Sequence, residues 1–240
     1  MEWRRANVRI LAIDTSGPAA GAALWADGVV LAEMNMNVGL THSETIMPAV
    51  DAVLRAAGCS CADVDAFAAV AGPGSFTGVR IGVCAVKGMA HANNKPCACV
   101  DALEALAMNA RGFCGVICTI LDARRDQVYS AAFRFENGEV PVRILENEAK
   151  SINDFLSALP ENEQLLFVGD GVKKYTPVIS ARFGNRAMLA NELTTLRASA
   201  ACVLAAKRQD EWMDAQQLAP IYLRAPQAER EREAGIQHGI

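Results

Sequence analysis

Two aspartates close apolar runs: Asp14 ends Val8 to Ile13, and Asp122 ends Val116 to Leu121. A carboxylate at a strand end can face a cleft and hold a metal-bound nucleotide, and it can equally cap its own turn. Both roles stay open for Asp14 and Asp122, which are the weak cofactor-binding candidates. Between them lies the string Gly72-Pro73-Gly74-Ser75. It can cradle a phosphate at a helix N-terminus, or Gly72 and Gly74 can simply permit a sharp strand-to-helix turn around Pro73, with Ser75 as N-cap. No Gly-Lys-Ser/Thr follows, and the pattern is not G-x-G-x-x-G. The structural role is the favoured one.

Other chemistry-bearing residues assemble into nothing comparable. The three histidines, His42, His91 and His238, include no two at helical spacing, so no metal site is expected. The eight cysteines are Cys59, Cys61, Cys84, Cys97, Cys99, Cys114, Cys118 and Cys202; none is spaced C-x-x-C, and no histidine stands near the tight pairs. That pattern argues against zinc and for reduced thiols used as small core residues in a cytoplasmic protein.

Composition bounds the rest. With 240 residues, 52% of them hydrophobic and 21% charged, the chain can build one large domain or two small lobes. No apolar run reaches the ~18 residues of a membrane helix, and Val8 to Ile13 follows Arg4 and Arg5 but meets Asp14 at once, so neither a membrane span nor a signal peptide is expected. The net charge is -4 and the pI near 5.5. A protein gripping RNA alone is usually basic, so any nucleic acid is expected to be held mainly by a partner.

The elements that position these residues alternate between strand and helix. Val8 to Asp14, Gly21 to Trp25 and Val29 to Met36 read as three strands, the last two joined by the hairpin signal Asp27-Gly28. Thr41 to Ala57 has helical apolar spacing and stops at Gly58. Asp65 to Ala71 is a buried strand, Phe76 to Ala92 a helix, Pro96 to Val100 a strand and Leu103 to Ala110 a helix. The second half repeats the plan in degraded form. Val116 to Leu121, Val128 to Phe135 and Val140 to Leu145 stand for the first three strands, with Asn137-Gly138 as the turn, and Leu165 to Val168 precedes Gly169-Asp170-Gly171. Two tandem lobes, 1–110 and 111–240, imply an α/β class and the duplicated actin, sugar kinase and Hsp70 architecture, with a mixed sheet and flanking helices in each lobe.

The string Gly72 to Gly82, with Ile13-Asp14-Thr15-Ser16, Asp122-Ala123-Arg124-Arg125, Val128-Tyr129 and Tyr222-Leu223-Arg224, resembles the TsaB family, also called YeaZ. The likeness covers most of the chain and is weakest from about Glu146 to Ala215. It implies a part in making threonylcarbamoyladenosine beside the tRNA anticodon. In that family a catalytic sister of similar fold, TsaD, makes the transfer with a bound metal, and a small ATPase, TsaE, joins the pair. The sister carries two metal-binding histidines four apart on a helix; an ungapped alignment puts Ala102 and Leu106 in those slots, and neither can donate a lone pair.

The resemblance therefore implies a non-catalytic scaffold that activates a TsaD-like subunit. No cofactor is expected, tRNA contact is expected only through the complex, and the partner surface is open to two uses, a homodimer of the chain when alone or the pairing with the catalytic sister. The alternative is a nucleotide-hydrolysing enzyme using Asp14 and Asp122; the absent histidine pair argues against a metallopeptidase. For the partner surface, the helix Phe76 to Ala92 carries only Arg80 and Lys87 as charges up to Met89, and Gly78 and Gly82 share a face where another helix can approach closely. Together with Ile46, Val50 and Val53 of the preceding helix they form the expected interface. Burial between the helix's own sheet and a neighbour is the other explanation. The alternating run Glu229 to Glu233 reads as a solvated tail.

Overall fold

In a computed structural model, residues 8–136 and 138–224 are described; Arg4, Arg5, Asn137, His238 and the Glu229 to Glu233 run lie outside them. The first sheet grows from β1 (Arg9–Asp14), whose burial is nearly complete. β2 (Ala20–Ala26) and β3 (Val29–Met36) run antiparallel beside it. Their two-residue turn puts Asp27 and Gly28 at φ 47° and 91°, the left-handed values that a tight hairpin requires and that this pair tolerates. On the other side β4 (Ala66–Gly72) and β5 (Cys97–Asp101) continue the sheet in parallel, giving the order β3-β2-β1-β4-β5.

The second sheet comprises β6 (Val116–Asp122), β7 (Gln127–Arg134), β8 (Val142–Ser151), β9 (Leu165–Val168) and β10 (Ala187–Leu189) in the order β10-β9-β6-β7-β8. The pairings β6-β7 and β7-β8 are antiparallel and β6-β9 and β9-β10 parallel, which repeats the pattern of the first sheet. The chain thus has the duplicated actin, sugar kinase and Hsp70 fold. β8 starts later and runs further than the expected Val140 to Leu145, because its alternating charged residues are those of a half-exposed edge.

Helices make this a five-layer molecule. α1 (His42–Ala56) and α2 (Phe76–Asn93) cover the outer face of the first sheet. α1 starts at a capping box between Thr41 and Glu44; α2 starts at Ser75 and ends at Asn94, left-handed at φ 51°. α4 (Ile152–Ala158) and α5 (Gly171–Phe183) cover the outer face of the second sheet. Between the sheets lie α3 (Ala102–Ala107) and α6 (Ala198–Lys207), in one apolar core with residues of both sheets. α3 is shorter than the expected Leu103 to Ala110, its last turn tightening into a 3-10 helix over Met108–Ala110.

The lobes exchange these inner helices: α3 packs on β6 and β7, whereas α6 packs on β1 and β2. A division at residue 110 therefore separates the two sheets but not every element, since the chain from Ala198 onward returns to the first lobe. Two part-buried charge contacts lie at the exchange. Arg208 Nη1 donates to Glu104 Oε2 at 2.8 Å, and Arg143 lies 3.7 Å from Asp101. No described helix is long and apolar enough to cross a membrane.

Candidate functional site

β1 ends by delivering Asp14 into the interior, where it is 3% exposed. Its Oδ1 accepts from the Ser16 amide at 2.8 Å and the Ser16 hydroxyl at 2.6 Å. Burial pushes the carboxyl up to about 6, against those two hydrogen bonds and the charge of His42. Asp14 is thus a turn cap held against its desolvation, not a side chain open to a ligand. Thr15 Oγ1 donates to the Gly78 carbonyl at 2.7 Å, and the Ser75 amide donates to the Ser16 carbonyl at 2.7 Å. These bonds seat the first turn of α2 directly on the end of β1.

The glycine loop exists for this close approach. Gly72 sits at φ 116°, a β-carbon on it would meet the Ile221 carbonyl oxygen at 2.6 Å, and one on Gly74 would overlap the Ser16 carbonyl. Ser75 Oγ accepts from the Gly78 amide at 3.3 Å as the N-cap. His42 Nε2 donates to the Gly17 carbonyl at 2.9 Å, fixing α1 to the same loop.

Opposite stands the end of β6. Asp122 is exposed, and its Oδ1 accepts from the Arg124 amide at 3.1 Å and the Lys174 ammonium at 3.2 Å. The Asp122 amide donates to Asp170 Oδ1 at 2.8 Å, and burial raises the Asp170 carboxyl. A lysine therefore stands at the acidic strand end where the alternative enzymatic reading would place a metal-nucleotide. Lys174 lies 52 residues from Asp122 in the chain, so no local spacing in the sequence marks it.

A cleft of about 690 Å³ separates these two strand ends, lined on its outer side by Phe76, Tyr222 and Arg224. The segment after α6 crosses it. The Ile221 amide donates to the Ala71 carbonyl at 2.7 Å, and Arg224 Nη1 donates to Ala123 of the other lobe at 3.0 Å. Phe76 and Tyr222 stack at 4.6 Å with the Arg80 guanidinium 3.8 Å above Phe76, and Arg80 Nε donates to the Tyr222 hydroxyl at 2.8 Å.

Residues expected at a partner surface divide sharply. Ile46, Val50 and Val53 are each 2% exposed and belong to the core between α1 and its own sheet. A β-carbon on Gly78 would overlap the Thr15 carbonyl and meet the His42 ring of α1 at 3.1 Å, and one on Gly82 would overlap the Thr15 hydroxyl, so these glycines are approached chiefly by the end of β1 of their own lobe. Lys87 donates to the carbonyls of Gln216 and Leu218 at 3.2 and 2.9 Å. Arg80 alone of the set is exposed. The reason is geometric: the glycine face of α2 is the face its own lobe covers. Thr77, Cys84 and Gly88 of α2 are exposed, as are Met47, Pro48 and Asp51 of α1. Around Gly88 a β-carbon would meet nothing within 4 Å.

Ala102 and Leu106, in the slots of the sister's histidines, are fully buried, and both line a small hollow next to Asp14. No group of three or more histidine, cysteine, aspartate or glutamate side chains that could hold a metal occurs among the described residues.

A family model described as "TsaD: tRNA N6-adenosine threonylcarbamoyltransferase" matches residues 37–232. The tRNA threonylcarbamoyladenosine biosynthesis protein TsaB of Bacillus subtilis is 34% identical over 92% of this chain and 96% of its own length. The chain belongs to the TsaB family. Its Haemophilus influenzae counterpart in that family is 30% identical over 91% of this chain and 94% of its own. A solved structure, "YeaZ from Pseudomonas aeruginosa", superposes with a TM-score of 0.77 at 29% identity, covering 90% of this chain and all of that one. A tRNA N6-adenosine threonylcarbamoyltransferase of Sphingopyxis alaskensis is 47% identical, but over only 29% of this chain and 20% of its own.

Proposed function

We propose that the chain is the non-catalytic subunit of a cytoplasmic complex that transfers threonylcarbamoyl to the adenosine 3′ of the anticodon in tRNA. It binds and activates a TsaD-like catalytic subunit, a TsaE-like ATPase joins them, and tRNA is met through the complex. The observation that carries this reading is Ala102 and Leu106. Hydrocarbon fills the helix face on which the sister holds its ion, and both side chains are locked into the core between the lobes. Asp14 and Asp122 are engaged by Ser16 and Lys174, which disfavours the nucleotide-hydrolysing alternative.

The docking surface is the outward face of α1 and α2, centred on Cys84 and Gly88. Glycine in a helix interior costs about 0.5–1 kcal/mol against alanine. Gly82 has an internal reason in Thr15, whereas Gly88 has none, and close approach of a second helix backbone supplies it. The test is reconstitution: tRNA modification measured with catalytic subunit, ATPase and this chain, each omitted in turn. The reading expects no transfer by this chain alone with a divalent ion, and a large loss when it is omitted. Transfer by this chain alone refutes it.

A further inference from the structure

The outer face of the second lobe carries a cationic helix. From Gly171 to Asn191 the chain has Lys173, Lys174, Arg182 and Arg186 and no aspartate or glutamate, in a protein whose net charge is -4. α5 buries Val172, Tyr175, Ile179 and Phe183, which turns Lys173, Lys174, Val178 and Arg182 outward. Lys174, Val178 and Arg182 follow one another at four-residue steps, so they form one slanting row across the exposed side. Lys173 stands beside the start of that row, and Arg186 follows its end in the 3-10 turn after the helix. At 1.5 Å per residue, Lys173 and Arg182 are about 14 Å apart along the axis.

The duplicated fold offers a comparison. α2 follows the first parallel strand of its sheet as α5 does in the second, and its two cations are held internally: Arg80 by the Tyr222 hydroxyl, Lys87 by the carbonyls of Gln216 and Leu218. On α5, Lys174 is engaged by Asp122 and Asp126, and Arg186 Nη1 donates to the Pro160 and Glu163 carbonyls at 3.4 Å. Lys173 and Arg182 have no acceptor and no ion-pair partner among the described residues. Arg182 rests only over the Phe183 ring, 5.7 Å from its centroid. The fold thus leaves two exposed cations unused at the two ends of a surface that contains no acid.

We propose that α5 is a contact surface for the sugar-phosphate backbone of tRNA. The proposal rests on the reading of the chain as a subunit of a tRNA-modifying complex, and it adds a direct contact to those made by the catalytic subunit. Charge complementarity selects the occupant. Unused cations on an acid-free face fit a polyanion, and phosphate neutralisation is the main source of affinity for RNA. Ser180 and Asn185 are exposed on the same element and its following turn, and such side chains bond to phosphate and ribose oxygens. An anionic lipid surface fits less well: helices that lie in a membrane interface turn large apolar and aromatic side chains outward, whereas the apolar residues that α5 exposes are Pro177, Val178 and Ala181. A backbone contact carries no base preference, so α5 adds grip and leaves the choice of adenosine to the catalytic subunit.

The experiment measures binding of an unmodified tRNA transcript to the complex of this chain with the catalytic subunit, at about 50 to 200 mM salt. The natural chain is compared with Lys173→Gln/Arg182→Gln and with the charge-keeping Lys173→Arg/Arg182→Lys. Loss of two phosphate contacts is expected to weaken binding roughly tenfold or more at the lowest salt and to reduce the slope of log K against log salt by about 1.5. The charge-keeping variant should bind as the natural chain does. Thermal melting and capture by the catalytic subunit should be unchanged in both. Crosslinking of the transcript to the natural chain, with the joined peptides identified by mass spectrometry, decides alone if the glutamine variant fails to fold: peptides from Gly171 to Arg186 are expected among them. An unchanged salt slope in the glutamine variant, or crosslinks that avoid α5, overturns the proposal. So does binding of the chain to vesicles of anionic phospholipid that the glutamines abolish while tRNA binding stays intact, which would assign α5 to a membrane. If the catalytic subunit does not capture this chain at all, the proposed function fails instead, and crosslinking of the isolated chain still tests α5.

Discussion

The α-carbon of Gly82 sits against the side chain of Thr15, so closely that a β-carbon there would overlap the Thr15 hydroxyl. About one and two-thirds turns further along α2, Gly88 faces open space. The two glycines therefore answer to different neighbours. Gly82→Leu is expected to destabilise the monomer by about 3 kcal/mol or more through overpacking at the β1 end, read as a lowered urea midpoint. Gly88→Trp should leave the stability within about 1 kcal/mol, since tryptophan has a higher helix propensity than glycine. It should weaken capture by a TsaD-like subunit roughly a hundredfold, the scale of a bulky group placed at an interface centre. Equal capture by the Gly88 variant removes α2 from the docking surface.

Much of this could be read from the chain, and the failures share one cause. The Asp27-Gly28 turn, the Ser75 cap and the buried run of β4 are local signals, and each element stands where they put it. The glycine face of α2 was legible as a face of close approach, but helical spacing cannot say whether a strand end or another helix arrives there. α6 left no periodic trace at all: Ala198, Ala201, Cys202, Leu204 and Ala205 are buried around its whole girth because it is wedged between two sheets. The Lys174 contact with Asp122 depends on how β6 and α5 meet, a long-range matter.

The interlobe pair of Glu104 and Arg208 gives a second prediction. Glu104 is 5% exposed, and Arg208 satisfies both of its carboxylate oxygens. Removing the arginine strands a buried carboxylate, which costs about 3 kcal/mol. Arg208→Ala is expected to lose that amount in urea unfolding at neutral pH. The double variant Glu104→Gln/Arg208→Ala should recover much of it, because the amide carries no charge to strand. A double variant no better than the single one would show that packing of the arginine stem, not its charge, is what holds the lobes.

Thiol reactivity should follow burial. Cys84 and Cys114 are exposed, whereas burial pushes Cys97 up to about 11 and raises Cys118 and Cys202 as well. A chromogenic disulfide reagent is expected to modify Cys84 and Cys114 rapidly in the native chain and to reach Cys97, Cys118 and Cys202 only after denaturation, as located by peptide mass mapping. Binding of the catalytic subunit should shield Cys84 and leave Cys114 unchanged. Shielding of neither, in a complex shown to be intact, would move the docking face off α2.

Asp14 carries the pH dependence. Its carboxyl is raised from 3.8 to about 6 by burial. Below about pH 4 it is protonated in both folded and unfolded chains and costs nothing. Between about pH 4 and 6 the folded chain holds a proton that the unfolded chain has lost, so stability falls as pH rises. Above about pH 6 the buried carboxylate destabilises the fold by about 3 kcal/mol, at 1.36 kcal/mol for each pH unit of the shift. Asparagine keeps an oxygen for the Ser16 amide and hydroxyl and carries no charge. Asp14→Asn should therefore be more stable than the natural chain near pH 8, with the difference shrinking to nothing near pH 4 in urea unfolding. A destabilised variant near pH 8 would mean that the carboxylate itself is required there, as it would be if Asp14 served a bound cation instead of its own turn.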